Sequence, residues 1–241
     1  MQFDIITILP EIFKCHFKES IINKAIKKRL ISINIHNLRD FSQDPHKKVD
    51  DKPYGGGRGM VMMVEPIYKA VTVLKSQIPN PKSQTSLKSQ IPKSKTILFS
   101  PRGKKFNQKM AYQFSKLDQL ILICGRYEGV DERVAKYIAD SKISVGDFVL
   151  MGGELASLVV IEAVSRLIPG VVGKSENLLK ERITKEKGFI EYPQYTRPLK
   201  FFPKKLRQAR PKVWQVPKVL LSGHHKKIEE WRKKHSKVIE K

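Results

Sequence analysis

Two apolar runs that both end at glycine constrain the fold of this chain more than any other feature. The first run, Leu120–Cys124, predicts a short buried strand that ends at Gly125. The second predicts a strand over about Ile143–Leu150, which ends before Gly152 and Gly153, with a helix between the two strands. Ligands of open α/β sheets bind beyond the carboxyl ends of strands, where glycine lets them approach the backbone closely. We therefore predict a ligand site here, although two ordinary strand-to-helix turns would have the same spacing.

The flanking sequence continues the alternation of strands and helices that is typical of an α/β fold. Apolar patterns predict further strands at Phe3–Leu9, Ile31–His36 and Thr96–Ser100. Helical spacing predicts helices over about 10–30, 60–74, 107–117 and 154–168. The strand at Thr96–Ser100 ends at Pro101-Arg102-Gly103, a third loop of the kind found at ligand sites. We expect a mostly parallel sheet with helices on both faces.

The charge balance indicates a polyanionic partner. The 241 residues carry a formal net charge of +24, with a pI near 10.0. RNA or DNA suits this balance, because contacts with phosphates release condensed counterions. A basic protein of the membrane surface is the alternative, and a solvated surface or a genomic bias would explain part of the lysine excess. No apolar run approaches the roughly 18 residues that span a bilayer, and Asp4 and Glu11 interrupt the start, so we expect neither a membrane span nor a signal peptide.

The chain has only two cysteines, Cys15 and Cys124. This number argues against a disulfide framework or a zinc site, and we predict no bound metal. Because two unpaired cysteines suit a reducing compartment, we expect a cytoplasmic location.

A glycine-rich cluster follows the strand predicted at Ile31–His36. Gly55, Gly56, Gly57 and Gly59 fall within five positions, and each glycine loses more conformational entropy on folding than another residue would. The loop must therefore turn tightly or let another group approach its backbone. As a phosphate-binding loop it is weak, because no Walker-type lysine follows it.

Composition also predicts the domain organisation. The segment 76–95 is rich in Ser, Gln, Pro and Lys, and LKSQIP occurs twice, at Leu74–Pro79 and Leu87–Pro92. We therefore predict a mobile surface insert over 76–95, with an RNA-contacting role left open. A polar segment follows Pro169-Gly170, and the last helix, from about His224, has a basic face that suits either RNA or solvent. The predicted parts are a large domain over 1–172, a linker over 173–187 and a small, basic, mainly helical domain over 188–241.

Four sequence motifs indicate a family resemblance: VDDKPYGGGRGM from Val49, GRYEG from Gly125, SVGDFVLMGGEL from Ser144 and SRLIPG from Ser165. Together they resemble the bacterial tRNA (guanine-N(1))-methyltransferases, of the trefoil-knotted class. The resemblance covers nearly the whole chain except the repeat insert and an insert at about 200–211. It implies a knot in the large domain, S-adenosylmethionine as cofactor, Mg²⁺ as a candidate activator, and a homodimer with a composite active site. The implied reaction methylates guanine N(1) of the guanosine immediately 3′ of the anticodon (guanosine-37) in tRNA, which prevents frameshifting.

Site residues follow from the resemblance by matching the motifs. The implied S-adenosylmethionine site consists of Pro101, Gly103, Gly125, Tyr127, Glu128, Ser144, Val145, Gly146, Asp147, Phe148, Val149, Leu150, Gly152 and Gly153. The implied tRNA-binding residues are Asp50, Tyr54, Gly57, Arg58, Arg126, Arg197 and His225. Members of the family often have proline or alanine at the position of Arg58, so this arginine adds a positive charge near the implied RNA site.

The implied reaction requires a base and a hydrogen-bond donor, because guanine N(1) is protonated at neutral pH and charge gathers on O6 as the proton leaves. SRLIPG matches Arg166 to the family's arginine, the expected O6 donor, although a salt-bridged helix residue is the alternative. The family's aspartate base is replaced: a gap-free count from Pro169 reaches Glu181, a carboxylate of nearly the same intrinsic pKa. Glu186 and Glu191 stay open as alternatives.

Two other functions fit parts of the sequence. The replaced aspartate would suit a non-catalytic or impaired RNA-binding homologue, whereas the complete glycine loops favour an enzyme. The C-terminal motifs YTRP and VLLSGHH argue against a related enzyme that acts on ribosomal RNA. We therefore predict a tRNA (guanine-N(1)-)-methyltransferase.

Overall fold

The chain forms two compact units, Met1–Leu178 and Leu179–Lys241. The computed structural model describes residues 1–77, 93–172, 183–184, 188–202 and 213–238. The insert predicted over 76–95 and the linker predicted over 173–187 lie mostly outside the described residues, so both remain predictions.

The larger unit is organised around a parallel sheet. Its strands in chain order are β1 (Gln2–Thr7), β2 (Ser32–Asn37), β3 (Asp50–Asp51), β4 (Val61–Met62), β5 (Ser94–Lys105), β6 (Gln119–Ile123) and β7 (Ser141–Ser144). Strands β3 and β4 form a separate antiparallel pair, and the other five form one parallel sheet in the order β2-β1-β6-β5-β7. The predicted α/β fold with a mostly parallel sheet is confirmed. Because these strands run the same way, the carboxyl ends of β5, β6 and β7 lie along one edge of the sheet.

Helices cover both faces of this sheet. They are α1 (Ser20–Lys27), α2 (Val64–Ser76), α3 (Gln108–Phe114), α4 (Glu132–Tyr137) and α5 (Glu154–Ser165), with three-residue-per-turn helices at Pro10–Phe13, His16–Lys18 and Leu38–Phe41. Successive side chains of a strand point to opposite faces. Phe3 and Leu122 therefore belong to a core formed with α1, α3 and α5. Ile6 and Ile123 belong to a second core formed with α2 and α4 on the other face.

Two predicted helices begin later than the apolar spacing indicates. The helix predicted over 10–30 is interrupted, and a φ of +73° at Ser20, the first residue of α1, breaks the helical backbone there. The helix predicted over 60–74 starts only at Val64, because Val61 and Met62 pair with β3 instead.

The strand predicted over Ile143–Leu150 is correct only in its first residues. It ends at Ser144, and residues 145–153 form a loop. The Ser144 hydroxyl donates to the Gly146 carbonyl at 2.8 Å and accepts from the Gly146 amide at 3.3 Å. This local turn closes the strand, and its consequence is a longer loop at the carboxyl edge of the sheet.

A polar layer interrupts the core on the α2 face. Asp4 is fully buried in β1, and its carboxylate accepts hydrogen bonds from Asn34, from His36 at 3.0 Å, and from the side-chain amides of Gln2 and Gln119. Burial by itself raises the pKa of Asp4, but these four hydrogen bonds, with His36 foremost, outweigh it and lower the pKa below its ordinary value. The layer therefore joins β1, β2 and β6 through one buried carboxylate.

The smaller unit combines one described α-helix with short strands. They are β8 (Ile183–Thr184), β9 (Gly188–Glu191), β10 (Lys200–Phe201), β11 (Trp214–Gln215), β12 (Lys237–Val238) and α6 (His225–His235). Strands β8, β9 and β12 form an antiparallel sheet, and β10 pairs with β11 alone. A 3₁₀-helix at Lys218–Leu221 precedes α6, and the segment between β9 and β10, which contains Pro193 and Pro198, is not helical.

Candidate active site

Three loops meet at the carboxyl edge of the parallel sheet. They follow β6 and β7 and interrupt β5 near its carboxyl end, and together they enclose a pocket of about 450 Å³. A pocket of this size falls in the range of about 300–1,000 Å³ that small-molecule sites occupy. The sheet order explains the convergence, because β6, β5 and β7 are direct neighbours.

Most of the predicted cofactor residues line this pocket. They are Pro101, Gly125, Tyr127, Glu128, Ser144, Val145, Phe148, Val149, Leu150, Gly152 and Gly153, and the predicted tRNA-binding Arg126 lines the pocket as well. Gly103, Gly146 and Asp147 do not line it. A Cβ on Gly103 would lie 2.5 Å from the backbone of Ile143, so this glycine allows β5 and β7 to pack. Asp147 pairs with Lys105 at the surface.

Two glycines let the loop of residues 145–153 cross the end of β6. The Gly153 amide donates to the Gly125 carbonyl at 3.0 Å. A Cβ on Gly153 would lie 2.7 Å from Cys124 Cα, and one on Gly152 would lie 2.5 Å from the Glu154 carboxylate. A side chain at Gly153 would therefore push the loop away from the backbone of β6, and one at Gly152 would displace the side chains of Arg126 and Glu154. Burial raises the pKa of the Cys124 thiol, so this residue packs under the loop as a protonated, unreactive thiol.

A buried ion pair ties the same loop to two strands. Glu154 is 1% exposed, and its carboxylate accepts from Arg126 Nε at 2.9 Å and from the Thr7 hydroxyl at 2.8 Å. Arg126, predicted to bind tRNA, keeps 20% of its side chain exposed beside the pocket. Glu154 was missed by the sequence analysis, and its only signal is its position directly after the glycine pair.

A second group of charges at the pocket was also missed. Glu132 accepts hydrogen bonds from Lys142 at 3.1 Å and from Arg102 at 2.8 Å, and all three residues line the pocket. The hydrogen bond from Lys142 is the main cause that lowers the pKa of Glu132, with Arg102 adding to it. This exposed network carries both signs of charge at the pocket edge, where it suits a zwitterionic or polar ligand.

The glycine-rich cluster contacts the pocket loop through its last residues. Gly55, Gly56, Gly57 and Gly59 all have φ between +79° and +129°, the region that favours glycine, which explains why four glycines are needed. The Glu128 amide donates to the carbonyl of the next residue, Met60, at 3.1 Å.

The predicted tRNA-binding residues of this segment lie outside the pocket. Asp50 starts β3, and Tyr54 and Arg58 are exposed in the loop, so these residues are available to a large ligand. Tyr127 also has a positive φ of +59°, a backbone conformation that is uncommon for a bulky residue and is found more often at functional sites.

Comparison with known proteins identifies the family of this chain. The family model described as tRNA (Guanine-1)-methyltransferase TrmD matches residues 1–240. The chain belongs to this family. A relative named tRNA (guanine-N(1)-)-methyltransferase in Carboxydothermus hydrogenoformans is 48% identical over 236 residues, covering 98% of this chain and 83% of the relative. One of the same name in Dehalococcoides mccartyi is 45% identical over 98% of this chain and 86% of its own length.

A solved structure shares the fold. It is the tRNA (m1G37) methyltransferase from Aquifex aeolicus, which is 40% identical with a TM-score of 0.70 and covers 96% of this chain and 87% of that chain. Like the other named relatives, it is similar in length to this chain, so the likeness extends over both units. The family membership predicted from the four sequence motifs is therefore confirmed.

Of the predicted catalytic residues, only Arg166 lies within the described residues, and it is not among the residues that line the pocket. Arg166 directly follows α5, whose 12 residues span about 18 Å, whereas Gly153 and Ala156 line the pocket at the other end of that helix. Glu181, the predicted base, and its alternative Glu186 lie outside the described residues, and nothing is described of the Glu191 side chain.

The remaining predicted tRNA-binding residues lie in the smaller unit. Arg197 lines a separate open cavity of about 630 Å³ together with Tyr195 and Arg232. His225 is the first residue of α6 and is exposed.

Neither a metal site nor a membrane span is found in the part of the chain that the structure describes. Within those ranges, no group of three or more His, Cys, Asp or Glu side chains is arranged to hold a metal ion. Among the described helices, none is both long and apolar enough to cross a bilayer.

Proposed function

We propose that this chain transfers a methyl group from S-adenosylmethionine to guanine N(1) of the guanosine immediately 3′ of the anticodon in tRNA. The observation that carries the proposal is the convergence of the three family-matched loops on one small-molecule pocket. The relatives' names favour an enzyme over a non-catalytic RNA-binding homologue, because similar chains over nearly the full length are named methyltransferases.

The pocket suits S-adenosylmethionine in size and in chemistry. Its walls combine apolar side chains such as Phe99, Ile143 and Leu150 with backbone groups of glycine loops and with the charged Glu132 network. Apolar walls and a few placed polar groups are typical of cofactor sites. When bound, the cofactor supplies an electrophilic methyl group, and the residues around it need only hold it in line with the acceptor nitrogen.

We assign the proton chemistry to Glu181 and Arg166. Glu181 takes the N(1) proton as a general base, and Arg166 donates to O6 as negative charge develops there. A forked guanidinium suits this task, because it can donate two parallel hydrogen bonds. Activation by Mg²⁺ is a prediction that EDTA titration of the methylation assay tests.

The distance between Arg166 and the pocket supports a homodimer with composite active sites. Arg166 lies about 15 Å along α5 from Ala156, the last helix residue that lines the pocket, which is too far to contact a guanine that receives a methyl group there. Leu155, Val159 and Arg166 recur at helical spacing on one side of α5, and both apolar members are about half exposed. Two copies that pair these helices antiparallel would place Arg166 of each copy beside the pocket of the other.

The apolar surface around α5 favours this pairing. Val149 and Met151, in the pocket loop beside the helix, are 81% and 91% exposed, and Phe148 is also exposed. An exposed apolar patch of this kind on an otherwise polar surface marks a protein interface. Burial of the patch between two copies would also cover one wall of each pocket.

A complementation experiment tests the composite site. Arg166→Ala and Gly152→Val are each expected to be inactive, because one lacks the donor and the other lacks the cofactor pocket. Refolding them together at equal amounts should restore about a quarter of wild-type activity, because half of the dimers then combine one intact pocket with one intact Arg166. If the mixture stays inactive while sedimentation shows mixed dimers, Arg166 acts on the pocket of its own chain.

The methyl-transfer activity is tested with radiolabelled S-adenosylmethionine and unmodified tRNA transcripts. We expect label to enter a transcript with guanosine 3′ of the anticodon and not one with adenosine at that position. Nuclease digestion should yield 1-methylguanosine. Labelling of both transcripts, or of neither, would refute the assigned reaction.

Two further properties belong to the proposal. We infer a trefoil knot from the loop of residues 145–153, which follows the edge strand β7 and returns over the ends of β5 and β6. The net charge of +24 supports tRNA as the partner, and a cytoplasmic location follows from that substrate.

A further inference from the structure

The β10–β11 ribbon of the smaller unit exposes three aromatic side chains. Phe201, Phe202 and Trp214 are 47%, 64% and 53% exposed. Phe201 and Trp214 lie opposite each other across the ribbon, with ring centroids 5.5 Å apart and ring planes tilted by 33°. Such rings are costly to leave in water, and clustered exposed aromatics mark a surface that another molecule covers.

The charge around the ribbon favours a polyanion as that molecule. Between Tyr192 and Ile228 the sequence has ten lysines and arginines and no aspartate or glutamate. Within the ribbon, Lys200 directly precedes Phe201 and is exposed. A stretch with many cations and no acidic residue attracts phosphates strongly. It would add little affinity for a protein partner whose surface carries charges of both signs.

We propose that the β10–β11 ribbon is a stacking surface for an unpaired base of RNA. Phe201 and Trp214 supply the rings on which the base stacks, Phe202 extends the aromatic surface, and Lys200 contacts the neighbouring phosphate. Aromatic rings combined with cations are the chemistry by which proteins hold single-stranded RNA, because every base has a face that can stack. The identity of this RNA as tRNA rests on the proposed function, and the anticodon loop supplies unpaired bases.

Part of the ribbon lies in a segment that the resembled family lacks. The segment at about 200–211 is an insert relative to that family; it contains β10 and Phe202, whereas β11 follows it. None of the ribbon residues is among those that line the pocket, so we assign the ribbon to RNA affinity and not to methyl transfer.

A purely structural role explains only part of the arrangement. Facing aromatic residues stabilise a strand pair, and an isolated two-stranded ribbon needs such support. This role accounts for Phe201 and Trp214 lying opposite each other, but it leaves Phe202, the most exposed of the three, without a function. An RNA base accounts for all three.

The test measures the affinity of the full-length protein for two labelled RNAs of equal length by fluorescence anisotropy. One is an anticodon stem–loop, and the other is a blunt duplex without unpaired bases. Trp214→Ala should weaken stem–loop binding about five- to tenfold, the lower range for loss of one base–aromatic stack, with less than a twofold change for the duplex. Trp214→Phe should restore stem–loop binding. Tyr68→Ala removes an equally exposed ring from α2 and should change neither affinity.

Phe202→Ala is a second variant that should leave the ribbon folded, because Phe202 lies outside the paired strand residues. It should also weaken binding of the stem–loop and not of the duplex. The slope of log affinity against log salt should stay unchanged in both variants, since no cation is removed. Wild-type stem–loop affinity in Trp214→Ala and Phe202→Ala, or an equal loss for both RNAs, overturns the proposal. A changed sedimentation of the free protein with unchanged RNA affinity would overturn it as well and assign the ribbon to a protein interface.

Failure of this inference is distinguishable from failure of the proposed function. If the wild type methylates tRNA but Trp214→Ala binds the stem–loop normally, the stacking surface is wrong and the reaction stands. If the wild type methylates no tRNA but the variants lose stem–loop binding as described, the stacking surface stands and the assigned reaction is wrong.

Discussion

Replacing Glu154 by glutamine tests whether the buried ion pair holds the pocket loop in place. The variant keeps an oxygen for the Thr7 hydroxyl but turns an amide toward Arg126, whose Nε is 2.9 Å from the native carboxylate. Removal of one partner of a buried pair costs about 3–5 kcal/mol. Arg126 keeps 20% of its side chain exposed and can be partly hydrated, so we expect about 3 kcal/mol, the lower end of that range.

The measurement is the free energy of unfolding from urea titrations of matched variants. Glu162→Gln is the control on the same helix, because Glu162 is 54% exposed and its His16 contact is 3.6 Å long, so its loss should cost less than about 1 kcal/mol. Combining Glu154→Gln with Arg126→Met should cost at least about 1.5 kcal/mol less than the sum of the single changes. A coupling below about 0.5 kcal/mol would show that the two residues do not act as a pair. Calorimetry should also find weaker S-adenosylmethionine binding in Glu154→Gln, since the loop that lines the pocket loses its tie.

Four other outcomes are expected. Gly152→Val should abolish cofactor binding in calorimetry with an unchanged circular dichroism spectrum, because the new side chain meets the Glu154 carboxylate; unchanged affinity would contradict the site. The logarithm of the tRNA association constant should fall linearly and steeply with the logarithm of salt concentration, and no dependence on salt would show that the net charge does not serve tRNA binding. Because the pKa of Asp4 is lowered in the folded state, its ionised carboxylate stabilises the fold above about pH 3.9. This contribution to the free energy of unfolding is lost as pH falls through the folded pKa. The stability gap between wild type and Asp4→Asn should therefore narrow below about pH 4, and a constant gap would refute this. Glu181→Gln should slow single-turnover methylation about a hundredfold with little change in tRNA affinity. If Glu181→Gln is active and Glu186→Gln is inactive, the general base is Glu186 instead.

Local patterns in the sequence were sufficient for four of the five strands of the parallel sheet, β1, β2, β5 and β6, and for the loops that carry the pocket. Leu120–Cys124 is apolar throughout because a central parallel strand is buried on both faces, and that property is visible in five consecutive residues. The glycines from Gly55 to Gly59 all have positive φ, a requirement of the backbone that only their residue type reveals. The words around Gly125, Ser144 and Ser165 identified the family by resemblance.

The tertiary structure decided which of these local pieces meet. Thr7 and Glu154 are 147 residues apart in the chain and form a 2.8 Å hydrogen bond, a contact that no periodicity predicts. The loop of residues 145–153 has the apolar composition of a strand, and it becomes a loop because Ser144 and Gly146 close a turn and the glycine pair crosses β6. Sequence patterns report the environment of each residue along its own strand or helix. The partners across the sheet depend on the order β2-β1-β6-β5-β7, which is set by packing of the whole unit.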